Sequence, residues 1–241
     1  MKSSLSLLFA LIFLSLTSAN PVEKQDEKRN LKNQKDDWVV LFDGKSVEKW
    51  KGKSEPGFPE KGWKIENGQL FLAEKGGGDI ITKEKYSDFE LVFQFNLTEG
   101  ANSGIKYFVG TIVNQETGKE TINGPEYQII DDYNNTHVKD DPNGLSSTAS
   151  AYLLYAPENK KLNPPGQWNT GRIVAKNGSV EHWLNGVRVV KYKRGSKNFL
   201  KRKAETKFKN DVNYGELESG HILLTDHNDK VYFKDIKIRR L

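Results

Sequence analysis

The stretch Gly124-Pro-Glu-Tyr-Gln-Ile-Ile-Asp-Asp132 sets a carboxylate and a carboxamide two residues apart, at Glu126 and Gln128. Side chains alternate across an extended strand, so these two share one face while Tyr127 and Ile129 share the other. Tyr127 and Ile129 suit a core, which leaves Glu126 and Gln128 on an open face. A carboxylate beside an amide there suits hydrogen bonding to a polyol or general acid–base work. An ordinary pair of exposed polar residues is the bland alternative. Asp131 and Asp132 follow at the strand end, where they could bind a ligand, hold a divalent cation through oxygen, or cap the loop.

Two further constellations carry groups of the right type. In Ala101-Asn-Ser-Gly-Ile-Lys-Tyr-Phe108, Lys106 alternates with Ile105 and Tyr107, and it faces the same cleft as Glu126 if the two strands are neighbours. Asn102 and Ser103 precede Gly104, a residue that permits a bulge or a close approach. In Thr225-Asp-His-Asn-Asp229, Asp226 beside His227 offers either a carboxylate–imidazole pair for proton transfer or a polar turn. His182 alternates with Val180 and Leu184, as a buried structural histidine would. Trp183 then points the other way, where a sugar ring could stack.

The elements that must position these groups are short strands. Candidates include Trp38–Phe42, Trp63–Glu66, Gln69–Leu72, Phe89–Asn96, Gly104–Val109, Glu126–Ile130, Ala151–Tyr155, Gly171–Lys176, Ser179–Leu184, Val187–Lys193, His221–Asp226 and Val231–Arg240. Asn67-Gly68, Asn177-Gly178 and Asn185-Gly186 mark tight hairpin turns. Only Ser196–Phe208 carries a helical spacing, with Phe199, Leu200, Ala204 and Phe208 on one side. There is no βαβ alternation. Many hairpins and one short late helix predict an all-β fold, an antiparallel sandwich. The connection Asp131–Thr148 is long and irregular, as functional loops often are.

Composition narrows the chemistry. The chain has 241 residues, 36% of them hydrophobic, and contains no cysteine. That excludes a disulfide scaffold, a thiolate metal site and a cysteine nucleophile. No zinc-protease, nucleotide-binding or nucleophile-elbow motif is present. The formal charge of +5 raises the question of nucleic acid. The basic residues are not interleaved with aromatics on one element, and a solvated basic surface accounts for them.

Residues 1–19 read as a secretory signal peptide: Lys2, an apolar run from Leu5 to Leu16, then small residues to Ala19. The run is shorter than the roughly 20 residues of a membrane span. Residues 20–36 mix both charge signs with little apolar content, as a flexible polar leader would. One folded domain is therefore expected over 37–241, in an exported protein that is periplasmic or extracellular.

Taken together, WVVLFDGKSVEKWKG, NSGIKYFV, GPEYQIIDD, GQWNTGRIVAKNGSVEHWLNGVRVVKY and GHILLTDHNDKVYFKDIKIRRL resemble the 3-keto-disaccharide hydrolase domain family, in order and over about Trp38 to Leu241. The resemblance implies a concanavalin A-like jelly-roll sandwich and an exported enzyme acting on 3-keto-glycosides. A C3 ketone acidifies the C2 proton, so a base can remove it, the C1 substituent can leave, and water can add back. Under this resemblance Glu126 or His227 transfers the proton. Lys106, Gln128 or a cation at Asp131 stabilises the enolate, and Asn102, Gln128, Trp183, Asp226 and His137 contact the sugar. Many relatives carry His-Pro-Asp-Ala where this chain has His137-Val-Lys-Asp, which weakens the case for His137. Two other classes compete: a lectin-like carbohydrate-binding module on the same fold, and a secreted interaction domain.

Overall fold

The computed structural model describes residues 37–241, and the expected signal peptide and leader lie outside them. Two antiparallel sheets share one core. The first strands are β1 (Val39–Phe42), β2 (Trp50–Gly52), β3 (Trp63–Glu66), β4 (Gln69–Leu72), β5 (Ile80–Thr82) and β6 (Phe89–Leu97). Then come β7 (Asn102–Asn114), β8 (Glu120–Asn123), β9 (Glu126–Ile130), β10 (Trp168–Lys176), β11 (Ser179–Leu184) and β12 (Val187–Lys193). The last are β13 (Asp211–Val212), β14 (His221–Leu224) and β15 (Val231–Arg240). The eight-stranded sheet runs β12-β11-β10-β6-β15-β4-β3, with β1 also on β15. The seven-stranded sheet runs β13-β7-β14-β5-β2, with β8 and β9 also on β7. The antiparallel sandwich expected from the hairpin pattern is the fold observed.

Alternation builds the core. In β6, Phe89, Leu91, Phe93, Phe95 and Leu97 are buried, and between them Val92, Gln94 and Asn96 are only half-buried. They face Ile105 and Tyr107 of β7 and Tyr127 and Ile129 of β9. Truncating one such phenylalanine to alanine costs about 3–5 kcal/mol, because transfer free energy and cavity terms add. The Asn-Gly turns behave as their chemistry requires: Asn67, Asn177 and Asn185 each take a positive φ, as do the glycines after them.

Three departures from the sequence reading bear on the site. Ala151–Tyr155 is not a strand: only isolated bridges form there, and Leu153 sits at φ 62°. The late helix, α2, ends early. Ser196 caps it by accepting from the Phe199 N–H at 3.2 Å, and it spans Lys197–Ala204, not Ser196–Phe208. The Thr206 hydroxyl then donates to the Lys203 carbonyl at 2.8 Å and accepts from the Phe208 N–H at 3.0 Å, which turns the chain away from the axis. Lys203 is buried and pairs with Glu216 at 3.2 Å, so it does not belong to a solvated basic face. A one-turn helix, α1 (Thr136–Lys139), also interrupts the long connection, capped by the Asn135 side chain. Two short helices thus accompany the strands among the described residues. No helix there is long and apolar enough to cross a membrane.

Candidate functional site

The pairing of β7 with β9 sets Lys106 opposite Glu126 and Gly104 opposite Gln128. Odd-numbered neighbours Ile105, Tyr107, Tyr127 and Ile129 point into the core, so the even-numbered side chains emerge together on the other face. There they line a cleft of about 130 Å³ with Asn102, Asn123, Tyr152, Lys207, Phe208 and His227.

Among the described residues Glu126 is the only carboxylate lining this cleft, and it is 6% exposed. Its Oε1 accepts from the Thr225 hydroxyl at 3.2 Å, and its Oε2 lies 4.0 Å from the Lys106 ammonium. Lys106 donates to the Asn123 carboxamide oxygen at 3.1 Å, which fixes the head group beside Glu126. The space for the carboxylate exists because residue 104 is glycine. A Cβ there would stand 2.0 Å from Glu126 Oε1.

The remaining walls come from chain distant in sequence. Residues 149–152 run along the free side of β9, with Ala149 N–H donating to the Gln128 carbonyl and Tyr152 N–H to the Glu126 carbonyl. This brings the Tyr152 ring to the cleft, where burial first, then the negative charge of Glu126, raise its phenol above the usual range. The turn after α2 delivers Lys207, its ammonium 4.9 Å from the Tyr152 ring centroid and 5.3 Å from that of Phe208. Desolvation lowers the Lys207 ammonium below the ordinary lysine value; Glu126 opposes this and Lys106 adds to it. The residue as a whole is exposed, so solvent screens this lowering. Asn102 also lines the cleft, and its carboxamide oxygen is buried without a hydrogen-bond partner among the described residues.

Several candidates stand elsewhere. Trp183 lies on β11 of the other sheet, packed under the Arg172 guanidinium at 4.8 Å and donating to Glu181, so it offers no platform in this cleft. The alternation that turned it away from His182 was correct, but alternation does not say which sheet a strand joins. Asp226 does not pair with His227: it accepts from the N–H groups of Gly78 and Asn228, at 2.7 Å each, and organises the loop. His227 is exposed at the cleft wall. His137, on α1, reaches the cleft only through Tyr152, its Nε2 being 3.5 Å from that hydroxyl.

Asp131 does not fit a cation. Its oxygens accept from the Gly100 and Tyr133 N–H groups and the Asn134 carboxamide. Burial pulls its carboxyl up, but those donors outweigh burial and hold it below the usual range. Asp132 is taken by the Thr148 N–H and the Lys160 ammonium. Among the described residues no group of three or more His, Asp or Glu is placed to hold a metal ion.

His182 is a structural group. It is fully buried, its Nδ1 donates to the Ala149 carbonyl at 3.0 Å, and its Nε2 therefore accepts from the Tyr107 hydroxyl at 2.8 Å. Burial lowers it to about 4, against the opposing backbone bonds, so it stays neutral near pH 7.

Comparison with known proteins identifies the family. A 3-keto-disaccharide hydrolase of Bacteroides thetaiotaomicron is 29% identical over 230 residues, covering 86% of this chain and 79% of that protein. A candidate glycosyl hydrolase of Parabacteroides distasonis superposes with a TM-score of 0.75 at 32% identity, over 87% of this chain and 96% of that one. A second from the same organism, at 24% identity and a TM-score of 0.63, shares the fold over 85% of this chain and 99% of its own. Residues 37–239 match the model of the 3-keto-alpha-glucoside-1,2-lyase-like domain, and the chain belongs to that family.

Proposed function

We propose that the cleft cleaves 3-keto-glycosides by elimination and rehydration, in an exported protein. One observation carries this reading: a buried carboxylate lines a cleft with two ammonium groups, Lys106 at 4.0 Å and Lys207 on the same wall as Tyr152 and Phe208. Glu126 takes the C2 proton, and the C2–H electron pair forms the C2=C3 bond as charge moves onto the C3 oxygen. Lys106, held by Asn123, stabilises that enolate oxygen, where a positive group does most for the transition state. The electrons return to expel the C1 oxygen, which takes a proton from Lys207. A lysine lowered below its ordinary value gives up that proton more readily. Water then adds across the C1=C2 bond and restores the 3-keto sugar. Asn102, Gln128 and His227 contact the ring hydroxyls.

The test is incubation of the purified protein with a 3-keto-glucoside and with its unoxidised parent. Release of the C1 substituent from the ketone alone, with exchange of the C2 proton into heavy water, is expected. Equal cleavage of both would point to acid–base hydrolysis without an enolate. Binding without cleavage of either would leave a carbohydrate-binding module.

A further inference from the structure

Beside the cleft, and sharing its Lys106, Asn123, Lys207 and Phe208 walls, lies an open groove of about 400 Å³. The β7–β8 hairpin forms one side and the turn after α2 the other. Four lysines line it, Lys53, Lys106, Lys119 and Lys207, against a single carboxylate, Asp211. Asp211 is itself engaged, accepting from the Asn114 carboxamide at 2.9 Å. Lys53 is paired with Asp79 at 2.5 Å. Lys119 and Lys207 make no ion pair among the described residues, and Lys106 has only the distant contact with Glu126. The floor between these cations is apolar: the Phe208 ring, and Ile122, which is 37% exposed.

Such a lining is unbalanced. Like charges gathered on one wall raise the potential of the groove and attract an anion to it. The groove opens from the cleft wall made by Lys106, Asn123, Lys207 and Phe208, so it reaches Lys207, where the departing oxygen receives its proton, and leads away from Asn102, Gln128 and His227.

We infer that this groove is the subsite for the leaving group, and that the natural leaving group is anionic: a sugar or similar polyol bearing a carboxylate or a sulfate ester. The inference rests on the proposed elimination for its direction, but the anion site itself can be read separately. The apolar floor packs against the C–H face of the leaving group, while Lys119 and Lys207 meet its oxyanion. Lys53, already neutralised, sets the far limit.

Two measurements decide it. First, calorimetric titration of the protein with glucuronate, glucose 6-sulfate and glucose separates the two anion sources from each other and from the neutral sugar. At least one acid is expected to bind about fivefold tighter than glucose, the size of one solvent-exposed ion pair. The advantage should shrink in 0.5 M salt, and Lys119→Gln, an exposed turn position outside the cleft, should abolish it. Second, kcat/KM is compared for 3-keto-glucosyl-glucuronate and 3-keto-glucosyl-glucose of the same linkage, in the wild-type protein and in Lys119→Gln. The variant should lose about fivefold on the acidic substrate through KM and nothing on the neutral one. Equal binding of acids and glucose, or a Lys119→Gln variant indifferent to the substrate's charge, would overturn the anion subsite and leave the elimination standing. Tight acid binding without cleavage of either ketone would do the reverse.

Discussion

Two glutamates of this protein are equally buried and have opposite fates. Glu90 on β6 and Glu126 on β9 are each 6% exposed, and each meets cationic side chains. Glu90 stands on the outer face of the eight-stranded sheet, where the Arg172 Nε meets its Oε1 at 2.5 Å and the Arg239 Nε its Oε2 at 2.7 Å. Both oxygens are saturated by groups that never release a proton near neutrality. Glu126 receives one hydroxyl at 3.2 Å and an ammonium only at 4.0 Å. Burial does not separate a structural carboxylate from a reactive one. What separates them is whether the lone pairs are spent, and whether the neighbouring cations can give up protons.

The sharpest test swaps only the reacting atom. Glu126→Gln keeps shape and hydrogen-bonding capacity but cannot accept the C2 proton. Turnover of a 3-keto-glucoside should fall about a thousandfold, within the usual range for loss of a general base. The melting temperature should hold within a few degrees. Undiminished kcat in this variant would move the base elsewhere, and His227 would be the next group to test.

Position can be broken while chemistry is kept. In Gly104→Ala the new methyl would lie 2.0 Å from Glu126 Oε1, 2.8 Å from its Cδ and 3.0 Å from its Cγ, so the buried carboxylate must shift. A displacement of about 1 Å costs on the order of a hundredfold in rate. kcat should drop to that extent, with circular dichroism unchanged. A Gly104→Ala enzyme of normal rate would mean that Glu126 does not work from the observed position.

Converting the inner cations to the outer type sharpens the contrast further. Desolvation lowers Lys207 below 10.5, so its protonated fraction falls at a lower pH than for an ordinary lysine. Activity that needs its proton therefore declines on the alkaline side as pH rises through that lowered value. Lys207→Arg keeps the charge and removes the proton donor. It should cost about a hundredfold in kcat and erase that alkaline limb from the rate profile. A limb that persists would belong to another group.

Local rules made half of this site legible. Period-two alternation put Glu126 with Gln128 and set Lys106 away from Ile105 and Tyr107, and the β7–β9 register then brought Lys106 to Glu126. The turn dipeptides marked the hairpins and with them the sandwich. Tyr152 was hidden because Ala151–Tyr155 has strand-like composition, and its left-handed turn at Leu153 carries no glycine to announce it. Lys207 was hidden because helical spacing continues to Phe208, whereas the Thr206 hydroxyl ends the helix by competing for its backbone. That hydroxyl, two residues past Ala204, was the available signal. Alternation alone makes Trp183 read as a sugar-stacking residue, because a strand's own pattern says nothing about which sheet it joins.

The smallest expected effect lies at Glu90, and it completes the comparison. Glu90→Gln removes the charge from a carboxylate serving two arginines that remain about one-third exposed. Solvent at those guanidinium groups screens the loss, so the cost should be about 1–2 kcal/mol of stability and a few degrees in melting temperature. The site on the opposite sheet should not register it: kcat and KM for a 3-keto-glucoside should match the wild type. If activity fell with Glu90→Gln as steeply as with Glu126→Gln, the two carboxylates would be coupled through the core. Saturation of the lone pairs would then no longer distinguish them.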